Sequence, residues 1–276
     1  MGNKAEHKKE LAGLFRVFLE TRDNSKLTEY LVSKSNLPSA RANLELAEAF
    51  AENVGEVSSR DPEILWLLCD QLTIITPDEA PTNNPREFLP FCGTWALGAL
   101  ASISPKFNES CWHRLKKMSI DSRWRIREAV AFGIQILLKK EQEKTLERLD
   151  RWIEDEKWLQ MRAVAAGVSE PSLLKYRQTA KKALKFHKKI LARIISTRAR
   201  NSFEFKTLRK GLGYTLSVVT YAIPKEGFEF MRRLIDSQDA DVQWIVKENL
   251  KKNRLIKNHP DEVASIKRLV RTKTRT

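Results

Sequence analysis

The sequence predicts an all-α fold built from stacked pairs of helices. Apolar residues recur at every third or fourth position rather than at every second one, which is the helical period. Proline and aspartate stand where helices would begin, as in Asp61–Pro62. Runs of β-branched residues are short, so we expect no strand.

The periodic segments predict the helices in order. One helix follows Pro38 and carries Leu44, Leu46, Ala47 and Phe50. The other predicted helices are Ala5–Thr21, Lys26–Ser33, Pro62–Leu72, Pro85–Ile103, Ser110–Met118, Arg123–Lys139, Glu141–Glu154, Lys157–Val168, Ser172–Ser196, Phe203–Ala222, Lys225–Asp236, Asp241–Asn253 and Asp261–Val270. The tail Arg271–Thr276 is basic and is expected to fray.

Three predicted helix starts resemble one another. DSRWRIREAVAFG begins at Asp121, DEKWLQMRAVAAG begins at Asp155, and DADVQWIVKENLK repeats the acid–Trp–base offsets from Asp241. The first two starts lie 34 residues apart and the third follows after 86 residues, which is about two units of the roughly 40–47 residues of a HEAT repeat. The helix at Phe203 would supply the intervening unit. The spacing predicts one continuous HEAT-like solenoid over residues 1–276, with a concave basic surface and a monomeric state.

The charge is distributed unevenly along the chain. The formal net charge is +15 and the isoelectric point is about 9.8. Residues 1–100 carry −5, whereas residues 101–276 carry +20. We therefore expect acidic N-terminal helices over residues 1–75, the loop Thr76–Asn84, and basic repeats over residues 84–270. Such a positive field favours a polyanionic partner, nucleic acid above all. The acidic helices would either cap the apolar end of the solenoid or dock a partner.

The strongest local signal is a run of ten basic residues without an acid in Pro171–Phe203. They are Lys175, Arg177, Lys181, Lys182, Lys185, Lys188, Lys189, Arg193, Arg198 and Arg200. On a helix, Lys182, Lys185, Lys189 and Arg193 share one face, which we call the lysine ridge. The ridge could follow a phosphate backbone; the alternative is a solvated helix face.

Several function classes lack their motifs. Cys69, Cys92 and Cys111 have no CxxC spacing and no His pair nearby, so we expect structural thiols rather than a metal site. Gly211–Leu212–Gly213 follows no strand, as a dinucleotide site would require. His113 and His187 have no visible triad partner, and no GxSxG or phosphate-loop motif occurs.

The location expected from the sequence is the cytoplasm. The N-terminus lacks the apolar stretch of a secretory signal, and no apolar run reaches membrane-spanning length. Association with the nucleoid, or a nuclear location in a eukaryote, would suit the same charge.

The seven tryptophans fall into two groups. Trp66, Trp95 and Trp152 lie on apolar stripes and are predicted to be core residues. Trp124 and Trp158 lie in the first turn of their helices beside basic residues, where either the core or a binding surface would suit them.

Two segments resemble a known family. WRIREAVAFGIQILLKKEQEKTLERLDRWIEDEKWLQMRAV, from Trp124, and NPREFLPFCGTWALGAL, from Asn84, resemble stretches of the AlkD-type DNA alkylation-repair glycosylases, which have a HEAT-like fold. The resemblance covers about residues 84–170. It implies duplex DNA as the partner and excision of cationic N3- or N7-alkylated purines without a metal or organic cofactor.

The resemblance also implies site residues. Trp124 falls where the family has an aromatic residue, and Glu128 falls where the family has its catalytic Asp, so both would act in catalysis, with Trp158 beside the lesion. Arg162 lies near a DNA-contacting Arg, one residue out of register, and the basic Lys251 or Lys252 lies near the C-terminal aromatic of the family. The predicted DNA contacts are Trp158, Arg162, Arg125, Lys182, Lys185, Lys189, Arg193, Lys247 and Lys251.

The alternative to a catalytic role for Glu128 is an ion pair with Arg125 or Arg162. The alternative function is a noncatalytic HEAT scaffold that binds RNA or an acidic protein. A DNA site requires that Trp124, Glu128, Arg162 and the lysine ridge open onto one surface.

Overall fold

The computed structural model describes residues 4–273, with side chains for residues 4–270. These residues form fifteen α-helices and no strand, so the all-α prediction is confirmed. The helices are α1 (Lys4–Thr21), α2 (Ser25–Ser33), α3 (Leu44–Val57), α4 (Pro62–Thr73), α5 (Phe88–Ile103), α6 (Asn108–Met118), α7 (Trp124–Lys140), α8 (Gln142–Glu154), α9 (Trp158–Val168), α10 (Arg177–Ser196), α11 (Phe203–Ala222), α12 (Pro224–Asp236), α13 (Ala240–Asn249), α14 (Asn253–Asn258) and α15 (Pro260–Lys273). A short 3-10 turn, Pro85–Glu87, precedes α5. Residues 271–273 of the tail predicted to fray continue α15, and residues 274–276 lie outside the described residues.

Two compact units divide the chain, Met1–Gln142 and Glu143–Thr276. In the first unit, α1, α3, α5 and α7 pack against one another in that order, and the intervening helices pack on this layer. Helix α5 is apolar on all sides and buried from Phe88 to Ala101, so it forms the centre of the unit. Packing of each helix on the second helix along is the arrangement of a helical repeat.

The loop Thr76–Asn84, which follows the acidic N-terminal helices, does not separate two units. It lies inside the first unit, where the buried Arg123 side chain holds it. The guanidinium donates hydrogen bonds to the carbonyls of Ile75 (3.0 Å), Thr76 (3.3 Å) and Ala80 (3.2 Å). Because these carbonyls are satisfied internally, the proline-rich loop is part of the folded layer.

The second unit has the same alternation. Helix α11 packs between α9 and α13 in one layer, and α10 and α12 pack on α11 from the other side. Helix α11 therefore occupies the place predicted for the intervening repeat. The buried His187 of α10 joins the layers. Its Nδ1 lies 2.9 Å from the Ala183 carbonyl oxygen of α10, and its Nε2 lies 2.9 Å from the Thr215 hydroxyl oxygen of α11. Burial lowers the pKa of His187 to about 4, so this imidazole is neutral near pH 7.

Two helix boundaries differ from the predictions by four residues or more. Helix α10 begins at Arg177 rather than at Ser172, because Leu173 and Leu174 are buried in a turn before it. The helix predicted over Asp241–Asn253 ends at Asn249, and a separate short helix, α14, follows. The buried Asn249 side chain binds α11, as described below.

Within the described residues, no helix combines the length and the apolar character needed to cross a membrane.

A close helix contact in the first unit joins Gly98 of α5 to Gly133 of α7. A Cβ atom on Gly98 would lie 2.5 Å from the Gly133 Cα. We expect Gly98→Ala to lower the free energy of unfolding by about 1–3 kcal/mol or more, because backbone rather than a flexible side chain blocks the methyl group. Urea unfolding measures the change.

Gly13→Ala is the matched control, since a Cβ atom at Gly13 of α1 meets nothing within 4 Å. Alanine at that position should leave stability unchanged or raise it by up to about 1 kcal/mol. Equal stability of the two variants would contradict the close packing of α5 on α7.

Candidate nucleic-acid interface

One layer of the second unit presents a continuous aromatic and basic surface. Its helices α9, α11 and α13 are buried on most sides, and each leaves one exposed stripe. We define the aromatic basic face by the partly or fully exposed side chains of these stripes: Trp158, Arg162, Lys206, Lys210, Tyr214, Trp244, Lys247 and Lys251.

The order of side chains across this face follows from the turn angle of α11. At about 100° per residue, the stripe that contains Lys210 and Tyr214 lies between the flank of Gly211 and the flank of Gly213. A Cβ on Gly211 would lie 3.3 Å from Arg162 Cγ of α9, and one on Gly213 would lie 3.2 Å from the Trp244 ring of α13. Arg162 and Trp244 therefore border the same stripe of α11 from opposite sides.

These contacts give the Gly211–Leu212–Gly213 motif a structural role. Both glycines remove side chains where neighbouring helices approach α11, so the motif contributes to the spacing of these helices. Its position in the middle of α11, with no strand before it, agrees with the sequence prediction.

Asn249 fixes α13 against α11 beside this face. Its Nδ2 donates to the carbonyls of Leu212 (2.8 Å) and Ile245 (2.7 Å), and its Oδ1 accepts from the Ser217 amide (2.7 Å). Because the amide is fully buried and bonded to both helices, the spacing of their exposed stripes is fixed.

A cleft of about 460 Å³ opens on the face between α11, α13 and the start of α14. We define the cleft by its lining residues: Lys206, Arg209, Lys210, Gly213, Tyr214, Trp244, Glu248 and Lys252. Six of these eight residues are cationic or aromatic and at least partly exposed, and the single carboxylate, Glu248, forms an ion pair with Lys251. The cleft thus favours an anionic ligand with a flat apolar part.

Two cation–π contacts position the aromatic rings. The Arg209 guanidinium carbon lies 4.1 Å from the centre of the Trp244 ring, and Arg209 Nε lies 3.1 Å from an Asp241 carboxylate oxygen. The Arg254 guanidinium carbon lies 4.8 Å from the centre of the Tyr214 ring. Both rings are therefore held at the cleft by arginines.

The lysine ridge does not join this face. Lys182, Lys185, Lys189 and Arg193 lie on α10 opposite the side that contacts α9 and α11, so they belong to the other layer of the unit. Two members of the ridge are also paired with acids. Lys189 Nζ donates to Asp150 (2.6 Å) and Glu154 (3.0 Å), and Arg193 pairs with Glu156. The Asp150 hydrogen bond raises the pKa of Lys189.

The expectation that the ridge and Arg162 open onto one surface is therefore wrong. Sequence alone shows which residues share a face of one helix, but not which layer of the unit that helix occupies. Lys182 and Lys185 remain exposed on the other layer.

In the first unit, Trp124 begins α7 with 43% of its surface exposed. Glu128 follows one turn later on the same helix and is half-buried. The Arg125 guanidinium lies 4.3 Å from the centre of the Trp124 ring and covers one of its faces. Trp158, in the second unit, is half-buried against Phe205 (ring centres 5.4 Å apart).

The prediction that Arg125 contacts DNA is wrong, because its side chain is buried in an ion pair. Only 2% of it is exposed, and it is paired with Glu87, which is fully buried. Nη1 donates to Glu87 (3.0 Å) and Asn83 (2.9 Å), and Nη2 donates to the Ser39 carbonyl (2.7 Å). Arg125 therefore ties α7 to two loops of the first unit.

The third of the similar helix starts is not equivalent to the first two. Trp124 and Trp158 are the first residues of α7 and α9, whereas Trp244 lies in the second turn of α13. The α13 cap is Asp239, which accepts from the amides of Asp241 (3.0 Å) and Val242 (3.1 Å). Asp241 instead pairs with Arg209 and Arg200. The shift places Trp244 in the cleft.

The remaining predicted residues lie mostly in the core. Cys69, Cys92 and Cys111 are buried, and burial raises the pKa of the Cys69 thiol to about 12, which makes it a poor nucleophile. Among the described residues, no group of His, Cys, Asp and Glu side chains could hold a metal ion. Trp95 and Trp152 are buried, and the half-buried Trp66 stacks on Phe107.

The residues at the centre of the face were not among the predicted DNA contacts. Lys206, Lys210 and Tyr214 recur at intervals of four residues, which places them on one side of α11. The four-residue spacing can be read from the sequence. The basic run of α10 is longer and more highly charged, so it was the run that predicted a binding surface. Lys252 and Arg254 could not be placed without the break between α13 and α14.

No protein-family model and no curated protein matches the chain. Among solved structures, it is similar to a designed armadillo repeat protein at 14% identity and a TM-score of 0.28, with 80% of this chain and 98% of that chain covered. It is also similar to an engineered protein solved as a structural-genomics target, at 15% identity and a TM-score of 0.29, with 87% and 97% covered.

Arg125→Met tests whether Arg125 is structural. We expect the free energy of unfolding to fall by about 3–5 kcal/mol, because the fully buried Glu87 carboxylate loses its ion-pair partner. Denaturant unfolding measures the loss. Adding Glu87→Leu should restore part of it, since the unpaired charge is then removed.

Lys139→Met, at an exposed position of the same helix, is the control and should change stability by less than about 0.5 kcal/mol. An Arg125→Met protein that is as stable as the parent but binds nucleic acid more weakly would restore Arg125 as a contact.

Proposed function

We propose that this helical-repeat protein binds nucleic acid, duplex DNA included, through the aromatic basic face of its second unit. The observation that carries the proposal is the exposed stripe of α11, where Lys206, Lys210 and Tyr214 follow one another at one-turn intervals. Arg162 of α9 and Trp244 of α13 border this stripe. Lysines that neutralise phosphates release condensed counterions, which supplies most of the affinity of sequence-independent binding.

The spacing of the lysines suits a phosphate backbone. Lys206 and Lys210 on α11 are separated by four residues, or about 6 Å along the helix. Lys247 near the end of α13 and Lys251 in the turn after it have the same separation in sequence. Each pair can reach neighbouring phosphates, and α11 and α13 lie side by side. An acidic protein would also be attracted by these lysines, but it has no need of the exposed rings of Tyr214 and Trp244.

A finer proposal concerns catalysis in the first unit. The family resemblance assigns removal of cationic alkylated purines to Trp124 and Glu128, and the exposure of Trp124 one turn before Glu128 on α7 supports this assignment. A cationic base is a good leaving group, so an aromatic face and a carboxylate near the sugar supply the main stabilisation. Since Arg125 covers one face of the Trp124 ring, the base would use the other face.

Charge removal tests the binding surface. We expect the triple variant Lys206→Ala, Lys210→Ala and Lys251→Ala to bind duplex DNA more weakly. The slope of the logarithm of the binding constant against the logarithm of the salt concentration (the salt slope) should fall in magnitude by about three, one for each lost phosphate contact. Fluorescence anisotropy with a labelled duplex at several salt concentrations measures both quantities.

The matched control is Lys181→Ala, Lys182→Ala and Lys185→Ala, which removes the same charge from exposed positions on α10. This variant should retain the parental slope. If the α10 variant loses slope and the α11–α13 variant does not, the phosphate surface is the lysine ridge instead.

Glu128→Gln tests the catalytic proposal. The parent protein should release alkylated purine from methylated duplex DNA, and the variant should lose release by about a hundredfold or more while binding persists, because one preorganised charge is removed. Chromatography of the released bases measures the reaction. Binding without release by the parent protein would leave a noncatalytic nucleic-acid-binding repeat.

A further inference from the structure

The cleft on the aromatic basic face has features that phosphate binding alone does not require. Lysines on an open surface suffice to neutralise a duplex backbone. The open cleft instead has a volume of about 460 Å³, within the range of about 300–1,000 Å³ typical of small-ligand pockets. It also places aromatic rings among its cations, which points to a flat ligand group.

Tyr214 provides an exposed and fixed ring at this cleft. Its residue surface is 49% exposed, although most neighbouring residues of α11 are buried. Arg254 Nη2 donates to the Tyr214 hydroxyl (2.5 Å), and the Lys252 ammonium lies 5.8 Å from the ring centre. A ring held from α14 loses little conformational entropy when a ligand stacks on it.

Trp244 and Arg209 form a second flat wall. The outer edge of the indole packs against Gly213, and the Arg209 guanidinium covers the ring at 4.1 Å. Arg209 is itself held by Asp241, so its planar group has a fixed orientation. Arginine planes and aromatic rings are the groups on which proteins stack unpaired bases.

The cations around the cleft are placed for the phosphates that accompany such a base. Lys206 and Lys210 lie on the α11 side, and Lys252 lies on the α13–α14 side. The nearby carboxylates are engaged, since Glu248 pairs with Lys251 and Asp241 pairs with Arg209.

A base of an intact duplex cannot enter this cleft, because the neighbouring bases of the duplex stack on both of its faces. We propose that the cleft takes one unpaired nucleotide, with its base stacked on Tyr214 and its phosphates on Lys206 and Lys210. The protein therefore binds nucleic acid more tightly where a base is unpaired. This inference rests on the proposed function and adds the form of nucleic acid that the face selects.

The test compares three labelled DNAs by fluorescence anisotropy: an intact duplex, a duplex with a single-stranded gap, and the same gap with abasic sites in place of its bases. The full chain should bind the gapped duplex about tenfold more tightly than the other two, because one stacked base contributes about 1–3 kcal/mol. Matching gaps of ribonucleotides show whether RNA or DNA strands fill the cleft better.

Variants locate the effect. Tyr214→Leu should bind the gapped duplex no more tightly than the duplex with the abasic gap, whereas Tyr214→Phe, which keeps the ring, should retain the tenfold preference. Tyr221→Leu is the matched control, because Tyr221 is an exposed tyrosine of α11 that contacts His259 outside the cleft lining. Thermal melts should be equal for all three variants.

The possible results separate the two proposals. Equal affinity of the parent protein for all three DNAs, with normal salt dependence, overturns the inference and leaves the phosphate-binding function. A preference for the gap that persists in Tyr214→Leu overturns the assignment to this cleft. Absence of salt-dependent binding to any of the DNAs overturns both proposals. The abasic comparison uses the parent protein, so it holds even if a variant is unstable.

Discussion

Close approach between neighbouring helices of one layer is the constraint on which the rest of this structure depends. It occurs where glycine removes a side chain: Gly98 meets Gly133 between α5 and α7, and Gly213 meets Trp244 between α11 and α13. Helices this close bury nearly all of their surfaces and leave a single stripe exposed. Whatever the second unit binds at this layer must be recognised by those stripes, because little else of α9, α11 and α13 reaches solvent.

The charged residues serve two different purposes. Arginines at the start of α7 are buried and paired, and they connect the helix to loops in the first unit: Arg123 binds carbonyls and Asp121, and Arg125 binds Glu87. Lysines of the aromatic basic face are exposed and can exchange counterions for phosphates. The net charge of +15 is therefore a poor measure of binding surface until each cation has been assigned to a layer.

Helical period and capping residues were enough to predict the order of the helices, and the burial of Trp95, Trp152 and the three cysteines followed from their apolar stripes. The sequence was a poor guide wherever the outcome depended on contacts between distant segments. Arg125 beside an exposed Trp124 resembles a surface residue until Glu87 and Ser39 are brought to it. The break after Asn249 was likewise not predicted, and the buried Asn249 side chain at this point is bonded to α11.

The lysine ridge shows the same limit at the candidate site. Its spacing on α10 was predicted correctly, but the layer in which α10 lies depends on the buried contacts of Leu184, His187 and Leu191 with other helices. Lys206 and Lys210 carry less charge in the sequence yet lie beside the exposed rings. Ranking the surfaces thus required the fold, whereas identifying the basic residues did not.

The most direct test of the account is lysine protection from acetylation, read by mass spectrometry with and without bound nucleic acid. The protein alone and its complex with DNA would be treated identically and compared residue by residue. The account predicts that DNA protects Lys206, Lys210, Lys247 and Lys251, while the exposed Lys182 and Lys185 of α10 react as in the free protein. Protection of the α10 lysines without protection of those on α11 and α13 would contradict it.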